Sequence, residues 1–195
     1  MAGSVTQARG REQKVGFPSP GSAMIAPMAD YRPKQRRVKA QVFTPIGWMS
    51  ATFHVPRTVP LLDHVNQPDQ FFTLTDVVMK RDGTRTPFLA LHRSALVLLI
   101  PEGSDLDPQA QQPAKDLDVR QVRCLLEMAT VEGTVELLKT LRVSDFFERQ
   151  HDFVVVYNSH TRWVDPVTRM FAAELHPSVI VSRSRIIGVS EGPTL

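Results

Sequence analysis

The chain has 195 residues, 42% of them hydrophobic and 22% charged, a balance that fits a folded globular protein and excludes a coiled coil or wholesale disorder. Its longest purely apolar run, Ala95 to Ile100 before Pro101, is far short of the roughly 20 residues of a membrane-spanning helix. The formal net charge of +3 and the pI near 9.3 invite an acidic partner such as nucleic acid.

Residues 1–36 are rich in Gly, Ala, Ser, Pro, Gln and Arg and lack any period of strand or helix, which reads as a basic, flexible N-terminal arm. No apolar stretch follows the basic residues as a secretory signal requires, so a cytoplasmic location is the expectation. Residues 1–37 hold seven basic and two acidic side chains, a net +5, which leaves −2 for everything after. The positive charge therefore belongs to the arm and not to the folded body.

From Val38 the pattern turns to strands. Val38 to Phe43 and Trp48 to Val55 alternate, Leu61 to Gln67 is a short turn or single helical turn, and Phe71 to Met79 is extended. Asp82-Gly83 predicts a hairpin turn, because glycine takes positive φ at no steric cost. Phe88 to Leu91 and Ala95 to Ile100 complete five strands. Residues 103–118, with four aspartates among Pro and Gln, read as an acidic linker.

The second half repeats the order: strands at Val119 to Met128 and Thr134 to Leu141, a helical turn at Ser144 to Gln150 capped by Ser144, then strands at Phe153 to Tyr157, Met170 to Leu175, Val179 to Ser182 and Ile186 to Val189. Leu61 onward aligns without a gap to Val143 onward, pairing Asp63 with Asp145 and Phe71 with Phe153. His92-Arg93-Ser94 likewise answers Ser182-Arg183-Ser184 once one later residue is dropped. This predicts a tandem repeat. The fold class is mainly all-β, with two similar five-stranded domains, barrel-like or half-open, at residues 37–102 and 119–192. The runs Phe153 to Val156 and Leu96 to Ile100 predict strands covered on both faces. Units this small are marginal alone, so the halves are expected to pack together or to pair their edges with another copy.

Candidate chemistry is thin. The six histidines lack metal-binding spacing, and the single Cys124 rules out an intramolecular disulfide and reads as a small buried hydrophobe. Phosphate-loop and nucleophile-elbow patterns are missing. Asp63 and Asp145 suit helix capping or turns better than a carboxylate pair. Phe71 and Phe153, each opening an apolar strand, are expected in the core, in preference to a base-stacking platform with Trp48 and Trp163. Arg32, Lys34, Arg36 and Arg37 form the one candidate anion or nucleic-acid site.

Arg32-Pro33-Lys34-Gln35-Arg36 resembles the opening Arg-x-x-x-Arg of PilZ domains, which bind cyclic di-GMP ahead of a β-barrel. The companion (Asp/Asn)-x-Ser-x-x-Gly motif is missing, so this resemblance is set aside. A broader one rests on Gly133, then Arg142-Val143-Ser144-Asp145-Phe146-Phe147, then Phe153-Val154-Val155-Val156. It is similar to a small bacterial β-domain family of unknown function with a Gly-led strand, an Arg-Leu-Ser-Asp-Phe-Leu-Asn-like turn and a Phe-x-x-Leu-Thr-Asp-like strand. The first half matches the last element through Phe71-Phe72-Thr73-Leu74-Thr75-Asp76 but has Leu62 in place of Ser; the second has Glu148 in place of Asn and ends Tyr157-Asn158. The resemblance implies a small β-fold, a bacterial origin and no catalytic residues. The resulting expectation is a non-enzymatic structural or interaction protein without cofactors. It would self-associate or join a larger bacterial complex, with nucleic-acid binding through the arm as the alternative.

Overall fold

The computed structural model describes residues 34–103, 116–149, 151–165 and 168–192. The first half comprises β1 (Gln35–Thr44), β2 (Gly47–Pro56), α1 (Leu61–Val65), β3 (Phe71–Met79), β4 (Arg85–His92), a 3-10 turn at Arg93–Ala95 and β5 (Leu98–Pro101). The second comprises β6 (Leu117–Leu126), β7 (Ala129–Leu138), α2 (Val143–Arg149), β8 (Phe153–Val164), β9 (Phe171–Ser182), a 3-10 turn at Arg183–Arg185 and β10 (Ile186–Glu191). The same order of elements thus runs twice.

Among the described residues these strands build one ten-stranded antiparallel sheet in the order β10-β6-β7-β8-β9-β5-β1-β2-β3-β4. Each half contributes five neighbouring strands in the same internal order, and one seam joins them. There β5 pairs with β9 through Leu98 opposite Val181 and Leu99 opposite Ile180, and the Ser182 N–H donates to the Val97 carbonyl at 3.0 Å. Barrel closure does not occur, because β5 joins β1 to β9 and leaves β10 and β4 as the ends of the sheet. The described residues belong to a single unit that begins at Pro33.

Two apolar cores lie on opposite faces of the strands at the seam. Phe153, Val155, Ile180 and Leu99 point into the core that α1, β1, β2 and β3 cover. Val154, Val156, Val179, Val181 and Leu98 point into the core under α2, β6 and β7. Successive strand residues face opposite sides, so a strand buried on both faces needs an unbroken apolar run. This is what Phe153 to Val156 and Leu98 to Ile100 supply.

Local chemistry sets the elements. Gly83 takes φ +70 at the β3–β4 hairpin, where the Asp82 carboxylate accepts from the Thr84 N–H at 2.9 Å. Each half has a bulge at the same place. Two residues of β3, Asp76 and Val77, oppose Ala51, and two of β8, Asn158 and Ser159, oppose Gly133. An added residue of this kind bends the strand and tightens its twist.

Three expectations are corrected. The two strands expected at residues 170–175 and 179–182 are one, β9 (Phe171–Ser182), that runs through Pro177. A proline is tolerated there because, among the described residues, β5 reaches β9 only at Ile180 and Val181, and a proline fits where a strand has an open edge. Ser144 lies inside the first turn of α2, which starts at Val143, so it is not the residue that precedes and caps the helix. Phe71 is 52% exposed, whereas Phe153 is buried as expected. The arm through residue 33 and most of the acidic linker lie outside the described residues. Among the described residues, no helix is long and apolar enough to cross a membrane.

Candidate functional site: the ends of the sheet

Of the four cationic residues singled out in the sequence, Arg32 lies outside the described residues and the other three do not share a ligand-facing site. Lys34 is exposed just before β1. Arg36 donates to the Val59 carbonyl at 3.4 Å, and Arg37 pairs with Asp76. Arg37 does border an open, polar depression with Lys39, Thr52 and Glu102, but Asp76 and Glu102 oppose its charge there.

Other chemistry-bearing side chains serve local structure. Asp63 and Asp145 sit in the first turns of α1 and α2, where a carboxylate complements the helix dipole. Cys124 is fully buried in the core under α2, and burial pushes its thiol up to about 12, far from a reactive thiolate. Trp48 and Trp163 are buried edge to face with ring centroids 5.2 Å apart, so neither is a stacking platform for bases. His54 bonds Thr75 at 2.8 Å and His92 bonds Ser94 at 2.7 Å. Among the described residues, no group of three His, Cys, Asp or Glu could hold a metal ion.

Sequence reasoning missed two charged assemblies. The Glu132 side chain is only 4% exposed and is held by Arg123, at 2.6 Å, and by Arg162. These three residues come from adjacent strands β6, β7 and β8, and no local spacing signals them. Arg93 donates to the Val65 carbonyl at 2.7 Å, pairs with Asp152 at 3.1 Å, and lies 4.8 Å over the Phe153 ring. It ties the end of α1 to the start of β8 in the other half. Arg183 stands at the matching place in the second half and donates to the Phe147 and Glu148 carbonyls at the end of α2. That match was visible beforehand in the paired Arg-Ser dipeptides.

Among the described residues, open strand edges occur at the two ends of the sheet and along the Phe171–Ser178 stretch of β9, where Phe171 (84%) and Leu175 (79%) are also exposed. Among the described residues, β4 bonds only β3, and β10 bonds only β6. Around them stand Phe71 (52% exposed), Phe88 (56%) and Ile187 (73%), large apolar side chains beside unpaired backbone donors and acceptors. An edge of this kind is a template for a further strand. A cleft of about 220 Å³, lined by Phe43, Val97, Met128, Arg185 and Ile187 among others, lies between the β1–β2 turn, the β6–β7 turn and the start of β10. Comparison with protein-family models, with curated proteins and with solved structures gives no match.

Proposed function

We propose that this protein is a non-enzymatic structural or interaction module that works by self-association or as a subunit of a larger assembly. It would be built from two copies of one small bacterial β unit. The observation that carries this reading is the exposure of apolar side chains beside two unpaired sheet edges, at Phe71 and Phe88 on one end and Ile187 on the other. Burying a side chain of this size is worth about 1.5–3 kcal/mol, and backbone pairing along an edge adds direction to it. The pairing of Arg93, Arg120, Arg123 and Arg162 with carboxylates inside the fold supports a framework role for these ionic groups.

The test combines sedimentation of the full chain over a range of concentrations with affinity capture from the native cell. Assembly with itself, or a stoichiometric partner whose capture depends on Phe71 or Ile187, is the expected result. A strict monomer that captures no such partner would overturn the reading.

A further inference from the structure

We infer that copies of this chain add head to tail, with β10 of one copy pairing antiparallel with β4 of the next in the geometry that β5 and β9 already use inside the chain. This rests on the self-association reading above and names its surface and its register.

The internal seam supplies the template. Within each half the strands keep one order, so β5 corresponds to β10 and β9 to β4. Inside the chain β5 of the first half meets β9 of the second. The complementary pair, β10 of the second half and β4 of the first, is the pair that ends the sheet. Carrying the internal register across, Leu98 opposite Val181 and Leu99 opposite Ile180 become Gly188 opposite Leu91 and Val189 opposite Ala90 of the next copy.

Exposure supports the same transfer, because residues left open at the ends have counterparts that the seam buries. Ile187 is 73% exposed, whereas Val97 at the matching position of the first half is 9% exposed. Leu125 is 44% exposed against 1% for Phe43, and Phe71 is 52% exposed against 2% for Phe153. Leu125 and Ile187 lie on the β10 end and Phe71 on the β4 end, so each face of the pairing presents its own apolar residues. A heterologous contact of this type does not exhaust itself in a dimer; it propagates until it closes a ring or extends as a filament.

The contact between copies is weaker than the internal seam. Inside the chain the Asn66 side chain both donates to the Phe153 carbonyl and accepts from its N–H, each at 3.0 Å. Glu148 stands at the corresponding place and only accepts. Arg93 meets Asp152 across the seam, whereas Arg183 would meet the neutral Gln70. Assembly is therefore concentration-dependent.

Two surface variants test the inference in the full chain, Ile187→Lys for the β10 end and Phe71→Lys for the β4 end; both positions are exposed, and circular dichroism checks that each variant folds. In sedimentation the wild-type chain is expected to grow in mass with concentration and each variant alone to stay monomeric. An equimolar mixture should form a one-to-one dimer that grows no further, because each variant keeps one intact end. A second readout fixes the register: the double variant Ala90→Cys/Val189→Cys, oxidised under native conditions, should give a ladder of covalent multimers. Wild-type assembly that neither variant weakens, or variants that still assemble alone while the cysteine pair gives no ladder, would overturn the head-to-tail geometry and leave self-association standing. A wild-type chain that is monomeric at every concentration would overturn the inference, with affinity capture then deciding the broader reading.

Discussion

Asp76 and Asn158, 82 positions apart in the chain, both hold left-handed backbone, with φ of 53 and 47, and each sits in the bulge of its own half, opposite Ala51 in one and Gly133 in the other. Asp and Asn enter this region more readily than other side-bearing residues because their short polar side chains bond locally. Replacing Asn158 by Val should destabilise the protein by about 1–2 kcal/mol, and replacing it by Gly should cost far less. Denaturant unfolding of the two variants measures the difference.

Gly133 faces that bulge at close quarters. A Cβ placed on it would lie 2.5 Å from the Tyr157 carbonyl oxygen and 2.7 Å from a Val156 methyl, and backbone cannot swing aside as a flexible side chain does. Gly133→Ala should cost about 1–3 kcal/mol, read as a lower denaturant midpoint at unchanged slope.

Phe71 and Phe153 occupy matching positions yet differ in burial, 52% exposed against 2%. Phe153→Ala should cost about 3–5 kcal/mol. In dilute solution Phe71→Ala should stay within roughly 0.5 kcal/mol of wild type. Unfolding curves at low concentration, where no copy covers Phe71, make the comparison.

The pH response below neutrality should come from His64 and His176. Burial lowers the pKa of both below the ordinary 6.5, against the opposing pull of Asp69 on His64 and of Glu174 on His176. Arg36 and Lys80 add to the lowering at His64 and His176 respectively. A lowered folded-state pKa means the unfolded chain binds more protons, so stability is present above 6.5 and falls as the pH drops toward the folded-state values. Thermal midpoints measured downward from pH 7.5 should decline across this window, and His64→Gln should flatten the slope.

Cys124 should resist thiol reagents in the native state and react at the rate of a free thiol once the chain is unfolded, since burial both hides the sulfur and raises its pKa to about 12. Reaction with a chromogenic disulfide, with and without denaturant, reads this directly.

Much of the local structure was legible in the sequence. The third strand was expected at Phe71 to Met79 and lies there, and the Asp82-Gly83 turn and both helical turns fall where composition and alternation put them. Errors occurred where a local signal was overruled by surroundings. Pro177 reads as a strand break, yet β9 continues through it, on a stretch that has no second neighbour among the described residues. Phe71 reads as core because it opens an apolar strand, yet it stands at the uncovered end of the sheet. Glu132 gives no signal, because its two arginine partners come from neighbouring strands.

By itself the sequence determined that the chain is rich in β-strand and that its elements run twice in one order. These properties depend on alternation, turn residues and composition, all short-range. The charge split that the sequence suggested does not hold, because Lys34, Arg36 and Arg37 belong to the described fold, which leaves +2 on residues 1–33 and +1 on the rest. Only the tertiary structure decided that the strands form one open sheet, that β5 and β9 make the seam, and that β10 and β4 end it. Which edges meet depends on pairing between segments some 80 residues apart, where backbone groups common to every residue type make the bonds and the side chains on both faces choose the register.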